Sequence, residues 1–267
     1  MKLIKLFNQF EALADAELQT KATSRREAFN SFGRTFGKAA AATLPLAAFM
    51  TPNRAFAQTS GTGITDVLNL ALTLEYLEAE FYAMGLDAAD LLTGDTRETV
   101  ALIGQHESAH VEFLRSAISS LGADPVEKPD FDFTAGGTFN DVFTNEQVFL
   151  ALAQAFEDTG VRAYKGQATN LMSNGDILTA ALQIHSVEAR HASEIRRIRG
   201  SKGWITNANN TTGASAADAV YAGEDNVTHL GVNATTVTDV SRDQLTEAYD
   251  EPLTKEQVLD IAGLFLA

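Results

Sequence analysis

The chain has 267 residues, 45% of them hydrophobic, and contains no cysteine. Lacking thiols, it cannot form disulfides, thiolate metal sites, iron–sulfur clusters or the usual covalent haem attachment, so redox chemistry would need a metal held by oxygen and nitrogen. Asp and Glu outnumber Lys and Arg by 35 to 20, a net charge of −15 that argues against nucleic-acid and anionic-membrane partners.

The N-terminus reads as an export leader. Ser24-Arg25-Arg26-Glu27-Ala28-Phe29 resembles the twin-arginine signal, with the aromatic one place later than usual. An apolar run from Ala39 to Met50 follows, then Ala55-Phe56-Ala57, an A-x-A cleavage site. That run falls well short of the roughly twenty apolar residues a membrane span needs. Residues 1–57 are therefore expected to be a twin-arginine-type signal peptide, and the mature protein a periplasmic or extracellular one with no membrane span. The mature chain would keep 12 basic and 31 acidic residues.

Four helices follow in the sequence pattern. The first runs from about Ile64 to Leu92, with Leu68, Leu72, Glu75, Ala79, Tyr82 and Leu86 near one face. After a break at Thr93-Gly94-Asp95 the second spans about Thr96 to Leu121, with Asp95 as its cap and Glu98 as capping-box partner. The connection is short, so the pair should be antiparallel. Gly122 to Thr144 is rich in breakers, and about twenty extended residues at roughly 3.3 Å each can cross the length of a bundle. The third helix is expected over about Asn145 to Ser173, and a turn at Asn174-Gly175 leads into the fourth, about Asp176 to Arg199, ended by Gly200. Two hairpins joined by a long crossover make an all-α four-helix bundle over 58–200.

Residues 201–267 form a polar extension. Ser201 to Thr238 is rich in Asn, Thr, Gly, Ala and Asp; glycosylation at its Asn-x-Thr stretches is one reading, and an ordinary polar loop is preferred because the leader implies a bacterial-type export route. A terminal helix, about Thr254 to Leu266, presents Val258, Ile261, Leu264 and Phe265 and should dock on the bundle.

The chemistry lies in a duplicated motif. Glu107-x-x-His110 and Glu188-x-x-His191 each put a carboxylate and an imidazole on one helical face. Each is preceded about thirty residues earlier by a glutamate, Glu75 or Glu157, which has a tyrosine seven residues on, Tyr82 or Tyr164. With five histidines in the chain, two such pairs in matching context are not chance. Four helices brought together would surround two metal ions with four carboxylates and two imidazoles. Glu75 lies among Leu68, Leu72 and Tyr82, and Glu157 among Phe149, Leu150 and Tyr164. Burying such carboxylates without compensation costs several kcal/mol, which a divalent cation offsets. Tyr82 and Tyr164 are the candidate catalytic residues, placed to hydrogen-bond a carboxylate across the bundle; simple packing is the alternative. Glu78, Glu80, Glu98 and Glu112 are assigned to solvated faces, with Glu78, one turn beyond Glu75, as an extra or alternative ligand. His106 and His185 are outer or surface groups, and His229 carries no signal.

These residues resemble the ferritin-like di-metal carboxylate superfamily, which includes bacterioferritin, rubrerythrin and manganese catalase. The resemblance spans Ile64 to Gly200. It implies that Glu75 and Glu157 are terminal ligands, that Glu107 and Glu188 bridge two iron or manganese ions, and that His110 and His191 complete one coordination sphere each. Leu74-Glu75-Tyr76-Leu77-Glu78-Ala79-Glu80-Phe81-Tyr82 and Glu251-Pro252-Leu253-Thr254 are similar to the exported desiccation-related ferritin-like family. The expected function is a di-metal oxidoreductase handling peroxide or dioxygen under oxidative or desiccation stress. Iron storage, or a stress-protection or structural envelope role with a stabilising metal, are the alternatives. The long extension argues against a 24-subunit cage and is compatible with a homodimer.

Overall fold

The computed structural model describes residues 63–267, so the leader at 1–57 lies outside the described residues. Four long helices dominate: α1 (Ile64–Asp87), α2 (Gly94–Ser120), α3 (Glu146–Gln167) and α4 (Gly175–Ile198). α1 packs chiefly along α2 and α3 along α4. The segment between α2 and α3 is the long crossover, and the whole is the all-α ferritin-like bundle.

Helix ends differ in instructive ways from the sequence expectation. α1 stops at Asp87 rather than Leu92, because the chain turns at Asp90 (φ 59°) to fold Leu91 and Leu92 into the core beside Phe149. Asp95 does not cap α2. The helix begins two residues earlier than expected, at Gly94, whose φ of +52° suits glycine, and Thr93 occupies the cap position without a side-chain hydrogen bond. Asp95 sits in the first turn instead, where its charge faces the positive end of the helix dipole. α3 closes in a 3-10 turn at Ala168–Leu171, and the Asn174 side chain caps α4 by accepting the Ile177 N–H at 3.2 Å.

The polar extension is more ordered than its composition suggests. It contains α5 (Asp218–Tyr221), a hairpin of β1 (Thr228–His229) and β2 (Val232–Asn233), α6 (Arg242–Thr246) and α7 (Lys255–Ala262). Val220, Tyr221, Leu253, Val258 and Ile261 pack against Leu70, Leu74, Ala155 and Ala163 of the bundle. In the terminal helix Val258, Ile261 and Phe265 are buried, but Leu264 faces solvent. The chain end then pairs with the crossover, where Phe131 bridges Leu266 and Asp132 donates its N–H to the Phe265 carbonyl at 2.8 Å.

This extension covers the outer face of α3, which is buried on every side from Phe149 to Tyr164. The covered face is partly polar and each polar group is paired. Asp158 binds Arg196 through two contacts and accepts the Tyr221 hydroxyl at 2.9 Å, while Gln154 donates to the same hydroxyl at 2.8 Å. Arg162 Nε lies 2.7 Å from Glu224 Oε1, and its guanidinium also donates to the carbonyls of Glu251 and Ala222. Unpaired, these charges would each cost several kcal/mol.

The fit at α3 yields a direct test. A Cβ on Gly166 would lie 1.9 Å from the Leu253 carbonyl oxygen, whereas one on Gly175 meets nothing. Gly166→Ala should destabilise the chain by about 1–3 kcal/mol in urea unfolding, and Gly175→Ala should cost nothing. Equal midpoints for both variants would contradict this docking.

Candidate metal centre

Two apolar clusters divide each helix and leave a polar layer between them. On α1 the clusters contain Leu68 and Leu72 on one side and Phe81 and Tyr82 on the other; on α2 they contain Ile103 and Leu114. On α3 Phe156 and Tyr164 flank the layer, and on α4 Ile184 and Ile195 do so. Glu75, Glu107, Glu157 and Glu188 occupy the gap, each fully buried. A carboxylate placed there loses its water on all sides.

All six sequence-selected donors meet in this layer. Glu75, Glu107, His110 and Glu188 offer atoms within 4.8 Å of one another, and so do Glu107, Glu157, Glu188 and His191. The two groups share Glu107 and Glu188. Glu107 divides its oxygens between them, with Oε2 at 2.9 Å from His110 Nδ1 and Oε1 at 2.7 Å from His191 Nδ1. His110 Nδ1 also lies 3.1 Å from Glu75 and 3.4 Å from Glu188, and His191 Nδ1 lies 3.2 Å from Glu157.

The tyrosines cross between the halves. Tyr82, seven residues after Glu75, donates to Glu157 Oε1 at 2.5 Å, and Tyr164, seven after Glu157, donates to Glu75 Oε1 at 2.5 Å. Each outer carboxylate is thus anchored by the other half of the duplication. His106, an outer group, places Nδ1 2.9 Å from His191 Nε2 and stacks its ring on His191. His185 and His229 lie apart from the cluster, His229 stacked on Tyr249.

Glu98 and Glu112 are exposed, and Glu80 pairs with Lys128. Glu78 is not on a solvated face. It is 3% exposed and its charge bears on Glu157, Glu107 and Glu75. The signal for this was its i, i+3 relation to Glu75, which puts both on one face.

The donor set fits a pair of cations. Glu107 Oε1, Glu157 Oε2, both oxygens of Glu188 and His191 Nδ1 are buried without a hydrogen-bond partner. Glu107 Oε1 and His191 Nδ1 approach closely yet lack the alignment of a hydrogen bond. Orphaned buried groups are costly, and convergent ones call for a common positive partner. Oxygen and imidazole donors suit iron or manganese.

Protons take up the charge when no cation does. Burial pushes the Glu75 carboxyl up to about 8 and holds Glu157, Glu78 and Glu188 above the usual range. At Glu107 burial acts the same way, but contacts from His110 and His191 outweigh it and bring the carboxyl down to about 2. Burial would lower both imidazoles; contacts with Glu107 lead the effects that lift His110 to about 10 and His191 to about 9. A raised carboxyl weakens the metal-free fold as pH rises from its unfolded value to about 8, and a raised imidazole loses its stabilising proton between about 6.5 and 10. Both slopes run the same way between pH 6.5 and 8. Metal-free protein should therefore unfold at lower denaturant as pH rises through that window, while metal affinity increases. Calorimetry in two buffers of different ionisation enthalpy should show proton release on binding; none would contradict this charge balance.

No helix among the described residues is long and apolar enough to cross a membrane. Among curated proteins, none matches the sequence. The sequence pattern of the ferritin-like domain matches residues 63–201, just over half of the chain, and covers the entire six-donor layer. The chain belongs to the ferritin-like domain family.

Proposed function

We propose that this is an exported di-metal oxidoreductase, holding two iron or manganese ions and acting on peroxide or dioxygen. One observation carries the reading: two four-donor groups overlap at Glu107 and Glu188, with buried atoms left unpaired in both. Held by these residues, two such ions would supply a two-electron exchange with an oxygen substrate. Glu75 and Glu157 are the terminal ligands in this reading, and His110 and His191 complete the two spheres.

The remaining residues prepare the site. Tyr82 and Tyr164 keep their phenolic protons, because burial among carboxylates raises both well above the ordinary phenol range. They hold Glu157 and Glu75 through those protons and complete the reacting site. His106 fixes the ring of His191. The aromatic cluster of Phe81, Phe149 and Phe156 excludes bulk water on one side. Export rests on the twin-arginine leader, whose route carries folded proteins and lets the metal enter before the envelope. The stress context rests on the likeness of Leu74 to Tyr82 to desiccation-related proteins.

Elemental analysis of natively purified protein should find about two iron or manganese ions per chain. Glu107→Ala, which removes a shared donor, should lose both ions, and Glu157→Ala should lose one. Peroxide consumption should fall at least about tenfold in Glu157→Ala. Zero metal in the native protein would defeat the reading, and equal, negligible peroxide rates with two ions bound would assign the metal a structural role.

A further inference from the structure

A pocket of about 320 Å³ opens between α3, α4 and the first residues of the extension. It lies outside the donor layer, and neither four-donor group includes a residue that lines it. Its size falls within the range of small-molecule sites, roughly 300–1,000 Å³. Val161, Ala189, Ala192, Trp204 and Ile205 give it apolar walls, and charged side chains interrupt them.

Some of those charges are neutralised internally. Arg162 pairs with Glu224, and Asp158 accepts from Arg196 Nε at 3.2 Å and Nη2 at 2.5 Å. Others are not. The Arg190 guanidinium and the Asp250 carboxylate line the pocket and make no hydrogen bond or ion pair among the described residues. Arg196 is 2% exposed, yet its Nη1 also has no partner there. A guanidinium edge left over in so buried a setting calls for an acceptor from outside.

Helix geometry aligns the donors. Arg190, Ser193 and Arg196 follow one another at three-residue steps, so they form one stripe of α4 along the pocket. Two guanidinium groups flanking a hydroxyl match a carboxylate, which accepts several hydrogen bonds in a plane. Asp250 comes from a different segment, just before α7. Its charge bears on Arg162 and Arg196, but it pairs with neither. Opposite charges that share a pocket without pairing leave a place for a molecule carrying both. A simple anion would gain the arginines yet be repelled by Asp250 and by the chain's net charge of −15. A zwitterion meets neither penalty.

Trp204 completes the pocket. Gly203 lets the chain run close against α4: a Cβ there would lie 2.5 Å from Ser193 Oγ. The indole, 48% exposed, is thereby held beside the stripe and offers an apolar face to a ligand's side chain.

We propose that this pocket binds a small zwitterion, a free α-amino acid with an apolar side chain. Its carboxylate meets Arg190, Ser193 and Arg196, and its ammonium meets Asp250. The site does not depend on the two-ion reading above.

Trp204 is the one tryptophan of the chain, so its fluorescence reports on the pocket directly. The test is titration of the full chain with L-leucine, followed by Trp204 emission and by calorimetry. A saturable change in emission is expected, with matching heat and a rise in melting temperature. N-acetyl-L-leucine lacks the ammonium and L-leucinamide lacks the carboxylate, so each should bind at least about tenfold more weakly. Arg190→Gln and Asp250→Asn should each weaken L-leucine binding by roughly tenfold or more. Both side chains are unpaired, so both variants should keep the wild-type melting temperature without ligand.

No saturable emission change and no heat up to about 10 mM L-leucine would overturn the proposal. Either analogue binding as tightly as L-leucine would overturn it too, because one of the two charges would then play no part. Undiminished affinity in either variant would sink the assignment as well, since the ligand would sit elsewhere.

Discussion

Four carboxylates buried at the middle of a helical bundle are the constraint around which this chain is arranged. Each is fully withdrawn from water, and Glu78 adds a fifth. Among the described residues His110 and His191 are the basic groups within the layer, and each makes its shortest carboxylate contact with Glu107. The remaining oxygens repel one another across a medium of low polarity, where such repulsion is strong. A fold that keeps this arrangement must supply positive charge from protons or metal. The apolar clusters above and below the layer supply the stability that holds the donors in place meanwhile.

The extension belongs to the same economy of burial. Since α3 carries apolar and polar residues on its outer side, a bare four-helix bundle would leave Leu152, Ala155 and Ala163 wet. α5 and α7 cover them, and the paired set around Asp158, Arg162, Arg196 and Tyr221 fixes the cover in register. The same cover brings Ile261 and Ala262 against the flank of Glu78. A segment that looks peripheral in composition thus forms part of the wall of the carboxylate layer.

Much of this was legible in one sequence. The i, i+3 pairing of Glu107 with His110 and of Glu188 with His191 survives folding because helix geometry alone determines it. The +7 tyrosines were legible as carboxylate partners, although which carboxylate each would meet was not. That choice depends on how α1 and α3 face each other across the bundle, a matter of packing. The helix ends at Asp87 and Gly94 depart from the local capping signals, because tertiary burial of Leu91 and Leu92 and a glycine at positive φ override them.

Residue order by itself determined the helices, the hairpin–crossover–hairpin connectivity and the six candidate donors, because all three follow from periodicities within single helices. Only the tertiary structure decided the burial of Glu78, the ordering of the polar extension and the pairing of Arg162 with Glu224. Those depend on residues tens of positions apart meeting in space. A glutamate on a helix looks alike in sequence whether it faces water or Gly160, and only the packed neighbour separates the two.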